Sequence, residues 1–207
     1  MRISDDRYSR DRLRLDLALR FLNHGARTHT IRAWTMLSDD RIRKLYRSYV
    51  RTADGPPRHR GKSPQQVSFF MRGPHAQHET GVLASFFALL GVVPTAKSAD
   101  VNHTLPSLVR GERICQAFEL FKATFPDASI SFEHAIFLVM ALARGNEIHY
   151  GRCVDCSALM VVDRLTLRET RCLLCARGLR APQVRARKRV CAANGENQRL
   201  PAPLLEQ

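Results

Sequence analysis

Apolar positions recur along most of this chain at helical spacing, and the segments they define are punctuated by glycine and proline. The stretch DRLRLDLALRFLNHG, residues 11–25, is the one ambiguous case. Leu13, Leu15, Leu17 and Leu19 alternate as in a strand, while Leu13, Leu17 and Phe21 also follow i, i+4 spacing. A run of about a dozen residues without turn formers, closed by Gly25 where a helix would stop, favours a helix with a broad apolar face. ARTHTIRAWTML then predicts a short helix carrying Ile31 and Trp34. SDDRIRKLYRSYVR follows with Ser38 as an N-cap and two acids in the first turn. Ile42, Leu45, Tyr46, Tyr49 and Val50 form one apolar stripe there, and Arg41, Arg43, Lys44, Arg47 and Arg51 lie off it.

TADGPPRHRGKSPQQ, residues 52–66, is too polar and too rich in Pro and Gly to pack, and reads as a linker or surface loop. Three more helical segments follow, with stops at Gly91, Pro126 and Gly145. The expected fold class is therefore mainly α. A helical N-terminal domain, residues 1–148, precedes a small four-cysteine module, 149–180, and a basic tail, 181–207. Two consecutive helices, the second basic on its outer face, are compatible with a helix-turn-helix whose second helix enters the major groove. A solvated surface helix gives the same pattern.

Charge sharpens this division. Residues 1–60 hold 15 Lys and Arg against 7 Asp and Glu, residues 61–150 hold 7 against 7, and residues 151–207 hold 11 against 5. A neutral middle between basic ends fits a packing or partner-binding core that carries two electropositive surfaces. Of the 33 basic residues 28 are Arg, whose fork suits phosphate and guanine. No uncharged apolar run approaches the length of a membrane span, and MRISDDRYSRDRLRLD lacks the apolar run of a signal peptide. A soluble, cytoplasmic protein with reduced thiols is expected.

Cys153, Cys156, Cys172 and Cys175 form C-x2-C-x15-C-x2-C, the spacing of a four-thiolate zinc site. Iron is the lesser alternative, and a thioredoxin-like centre needs only one such pair. Four sulfurs fill a tetrahedral zinc, so the predicted site is structural, with one Zn(2+) per chain. ALMVV and LTL, between the pairs, are expected to form two short strands of a ribbon. Arg177, Arg180, Arg185, Arg187, Lys188 and Arg189 follow with no acid among them, as a disordered solvated tail or as an arm that contacts phosphates. His75, His78, His103 and His134 have no partner at a useful spacing and read as surface or satisfied core residues. Cys115 reads as an inert buried thiol and Cys191 as exposed. No GxSxG, HExxH or GxxxxGK[ST] pattern occurs, and no enzyme is expected.

GARTHTIRAW followed by LSDDRIRKLYRSY, the GPP and FFM segment of residues 55–71, the helical middle and CVDC with CLLC together resemble the flagellar transcriptional activator FlhC family. The resemblance implies a mainly helical fold with a zinc site at Cys153, Cys156, Cys172 and Cys175. It also implies a complex with the partner protein FlhD, of four FlhD and two FlhC subunits, that binds promoter DNA and activates transcription by RNA polymerase. The choice of Arg41, Arg43, Lys44, Arg47 and the arginines after Cys175 as DNA contacts rests on charge and helix position alone. The alternative reading is a zinc-stabilised RNA-binding or ribosome-associated protein, against which the lack of an aromatic-rich stacking surface speaks.

Overall fold

The computed structural model describes residues 2–50, 63–95, 106–167 and 170–179. The first helix, α1, spans Arg2–Asn23, so the helical pattern begins well before the apolar run that predicts it. Leu17, Ala18, Phe21 and Leu22 are buried and Leu13 is exposed, which resolves the alternating leucines in favour of i, i+4 spacing. Gly25 ends α1 at φ 73°. The Ala26 N–H reaches the Phe21 carbonyl at 2.9 Å and the Gly25 N–H reaches that of Leu22 at 2.9 Å, a Schellman closure that a side chain at Gly25 would strain. Gly91 closes the helix Pro74–Leu89, α4, by the same pair of bonds, to Phe87 and Ala88.

Helix α2 spans Thr28–Thr35 and buries Thr30, Ile31, Trp34 and Thr35. Its start is capped from a distance. The Glu133 carboxylate, buried on the helix Phe132–Arg144, α6, accepts from the Arg27 backbone N–H at 2.8 Å and from the Thr30 hydroxyl at 3.0 Å. An anion at a helix start satisfies free N–H groups and complements the dipole. Helix α3, Asp39–Leu45, opens as its sequence predicts, with the Ser38 hydroxyl accepting from the Arg41 N–H at 3.4 Å.

Beyond Leu45 the regular α-helix does not continue. Tyr46–Val50 forms a π-helical turn. The wider turn rotates the stripe, because i→i+5 bonding adds residues per turn. Ile42 and Val50 stay buried, whereas Tyr49, predicted on the apolar face, is 69% exposed.

Helix α4, Pro74–Leu89, starts with proline at its first position, where a missing N–H costs nothing. Helices α5, Leu108–Thr124, and α6, Phe132–Arg144, are capped by Ser107 and Ser131. Helices α1 and α5 approach closely at Gly111, where an added Cβ would stand 2.7 Å from Leu17 Cδ2. Arg20 bridges the same two helices, donating to Glu119 at 2.9 and 2.6 Å and to Glu112. The core centres on aromatic rings: Phe132 meets Phe21 edge to face at 5.0 Å and Phe118 at 5.2 Å, and His24 stacks on it at 5.0 Å.

The ribbon differs from its expected form. Strand β1, Ile148–Arg152, lies before the first cysteine pair and runs antiparallel to β2, Leu159–Asp163, with Tyr150 opposite Val161. The expected second strand, LTL, is exposed loop, with Leu165 87% and Leu167 99% accessible. A strand at LTL would have to pair with β2 across only Asp163 and Arg164. The alternating Ile148 and Tyr150 instead supply a partner whose inward side chains reach the helices. Ile148 and Val161 join the main core, and the Tyr150 hydroxyl donates to the Ala84 carbonyl of α4 at 3.1 Å. A short helix, α7, spans Leu173–Ala176.

Glu133→Ala leaves the Arg27 N–H and the Thr30 hydroxyl without their acceptor inside the protein. A loss of about 1–3 kcal/mol is expected in a denaturant titration, with Glu133→Gln, which keeps an acceptor, closer to the parent.

Candidate metal centre and basic helix

The sulfurs of Cys153, Cys156, Cys172 and Cys175 all lie within 4.8 Å of one another. The β1–β2 hairpin sets the first pair: the Cys153 N–H donates to the Ala158 carbonyl at 2.9 Å and the Ser157 N–H donates back to Cys153 at 2.9 Å. Ser157 closes this turn at φ 59°, in the left-handed region. Cys172 and Cys175 flank the first turn of α7, where the Cys175 N–H points at the Cys172 sulfur at 3.5 Å. The two pairs are tied directly. The Cys172 N–H donates to Cys153 Sγ at 3.3 Å, and the Val154 N–H to the Thr170 carbonyl at 3.3 Å.

Sulfurs bonded tetrahedrally at about 2.3 Å from a metal sit roughly 3.8 Å apart. Cys156 and Cys172 are already at 3.6 Å. The four cysteines can therefore hold a metal ion in a closed set with no place left for substrate.

Proton affinities fit the same reading. Burial works to raise the Cys153 thiol, but the N–H groups of Cys172, Cys156 and Asp155 outweigh it and bring the thiol down to about 6. Cys175 moves the other way, because the sulfurs of Cys156 and Cys172 hold its proton. Four clustered thiols ionise together only when a cation offsets the charge. Cys115 is different: burial among Phe118, Phe121 and Ile114 pushes its thiol up, the Glu112 and Glu119 carboxylates add to this against Arg20, and it is inert.

The structure exposes Arg41, Arg43, Lys44 and Arg47. Ile42 and Val50 anchor the opposite side of this segment in the core. Arg43 shares a surface pair with Asp40 at 3.1 Å, and Arg47 Nε donates to the Arg43 carbonyl at 3.3 Å. Such exposed pairs are worth little and leave the guanidinium groups available. Arg177 is exposed next to α7. Arg180, Arg185, Arg187, Lys188, Arg189, Cys191 and His103 lie outside the described residues.

His134 stacks on Phe69 at 3.9 Å and its Nδ1 lies 2.7 Å from the Ser131 hydroxyl. His75 pairs with Glu79 at 3.3 Å, and His78 meets the edge of Phe125 at 5.9 Å. None of these three joins a metal-ligand cluster among the described residues. Two elements of the site went unpredicted. The Ile148 and Tyr150 alternation was a usable signal for β1, whereas nothing local ties Glu133 to residues 103 and 106 positions away.

Protons compete with the metal for all four sulfurs. Metal retention is expected to fall on acidification, because each ligand must stay deprotonated to hold the ion. Release into a chromogenic chelator, followed from pH 8 to about pH 5, measures this.

Among the described residues no helix is long and apolar enough to cross a membrane. No curated protein matches the chain. The family model described as "Flagellar transcriptional activator (FlhC)" matches residues 7–188, which takes in most of α1, all of α2 to α7, the basic helix and all four clustered cysteines. The chain belongs to the FlhC family of flagellar transcriptional activators.

Proposed function

We propose that this protein is the DNA-binding, FlhC-like subunit of a cytoplasmic complex with an FlhD-like protein, and that the complex switches on flagellar promoters through RNA polymerase. A composition of four FlhD-like and two FlhC-like subunits follows the family resemblance. The protein has no catalytic role in this reading. The observation that carries it is the row of exposed cations Arg41, Arg43, Lys44 and Arg47 on a segment whose other side is fixed in the core.

A rigidly held cationic row meets a phosphate backbone without first losing the freedom of a loop, and each neutralised phosphate releases counterions. Base reading then requires only a few forked Arg contacts. Glu133 holds the start of α2, and α2 packs on α3, so the cationic row keeps a set position on the helical body. The helical segment 1–148 takes the roles of partner and DNA binding, with the neutral middle as the partner surface.

Cys153, Cys156, Cys172 and Cys175 hold one Zn(2+) per chain in residues 149–180. The ion supplies a structural cross-link, and the four thiolates leave a formal charge of minus two beside Arg152, Arg171 and Arg177. Arg177, Arg180, Arg185, Arg187, Lys188 and Arg189 then form a second phosphate-contacting arm that starts from this fixed point.

Arg43→Glu together with Arg47→Glu is expected to weaken promoter binding across sequences and to lower the slope of log affinity against log salt by about 2. Gel-shift titrations over a range of salt check it, and unchanged affinity at every salt makes the helix a solvated face. Cys153→Ala or Cys172→Ala is expected to abolish stoichiometric zinc, seen by elemental analysis. A loss of about 2 kcal/mol lowers Tm by roughly 4–8 °C in a chain of this size. Full zinc with unchanged melting in either variant removes the cross-link.

A further inference from the structure

Between α4 and the cysteine hairpin lies a half-open cavity of about 400 Å³. Its volume falls in the range of small-molecule sites, which are apolar with a few placed polar groups. Helix α4 supplies Gly81 and Val82, β2 supplies Leu159 and Met160, and α7 supplies Leu173, all of them buried or half-buried.

Gln77, His78 and Ser85 of α4 add polar groups to the lining, His78 and Ser85 half-buried, and the cations sit at the exposed margin. Arg171 and Arg177 line it, and among the described residues no acidic side chain does. Arg171 pairs at 3.3 Å with Asp155 outside the cavity, and Arg177 has no ion-pair partner among the described residues. Cys172 also lines the cavity, and a metal-bound thiolate cluster is formally anionic, so negative charge on a ligand belongs at the Arg177 end. Apolar walls with a cationic margin fit an apolar body that ends in a carboxylate. A cationic amphiphile meets Arg177 with like charge.

We propose that this cavity binds a small amphipathic carboxylate, with the apolar body between α4 and α7 and the head group at Arg171 and Arg177. Calorimetric titration of octanoate into the zinc-loaded full-length protein tests it, with 1-octanol and octyltrimethylammonium as comparators. Saturable one-to-one binding of octanoate is expected, about tenfold tighter than 1-octanol through the charge-assisted bonds to arginine. Val82→Phe, which fills the cavity, lowers octanoate affinity by about tenfold or more while zinc content stays at one per chain. Arg177→Gln erases the preference for octanoate over octanol, and this surface variant carries the test if Val82→Phe loses zinc. Absence of saturation, equal affinity for octanol, or undiminished binding in both variants overturns the proposal.

Discussion

Helix α4 carries α5 on one flank and strand β2 on another. Leu83, Ala84 and Phe87 of this helix are fully buried. The Tyr150 hydroxyl then caps the contact by donating to the Ala84 carbonyl. Because the helical body and the cysteine hairpin both hang on α4, the hairpin contributes Ile148 and Val161 to the main core instead of standing apart. Close packing makes that joint stiff, since a dense interior has few alternative arrangements of similar energy.

The hairpin still cannot hold its far end by apolar burial. Beyond β2 the chain exposes Leu165 and Leu167, and only a few backbone bonds tie the second cysteine pair to the first. Four sulfurs close enough to share one metal ion can supply the missing cross-link where the chain has no apolar mass to spend. One end of the ribbon is thus held by hydrophobic contact with α4, and the other ends in the four-cysteine cluster. The cavity lies between these two attachments, which is why its walls come from α4, β2 and α7 at once.

The basic helix depends on a different kind of tie. α3 is short, its cations are exposed, and its N-cap is local. What orients it is the chain through α2 to Glu133 on α6, a buried carboxylate that replaces solvent for the start of α2. Membership of the FlhC family gives this arrangement its biological setting as a flagellar transcriptional activator. The residue chemistry explains how such a protein presents positive charge without a mobile loop.

Features governed by near neighbours were legible in the sequence. Helix stops at Gly25, Gly91 and Gly145, the Ser38 cap and the two cysteine pairs each follow from bonds spanning a few residues, and those bonds form whatever surrounds them. The family, too, was readable from motif order. Features governed by distant partners were not. Pairing of β1 with β2 across the first cysteine pair, the π turn that turns Tyr49 outward, the Glu133 cap and the cavity all depend on which surfaces meet. Sequence spacing sets what each segment can bury and which groups need partners, whereas only packing decides which partner arrives, because that choice is made by shape and burial across the whole chain.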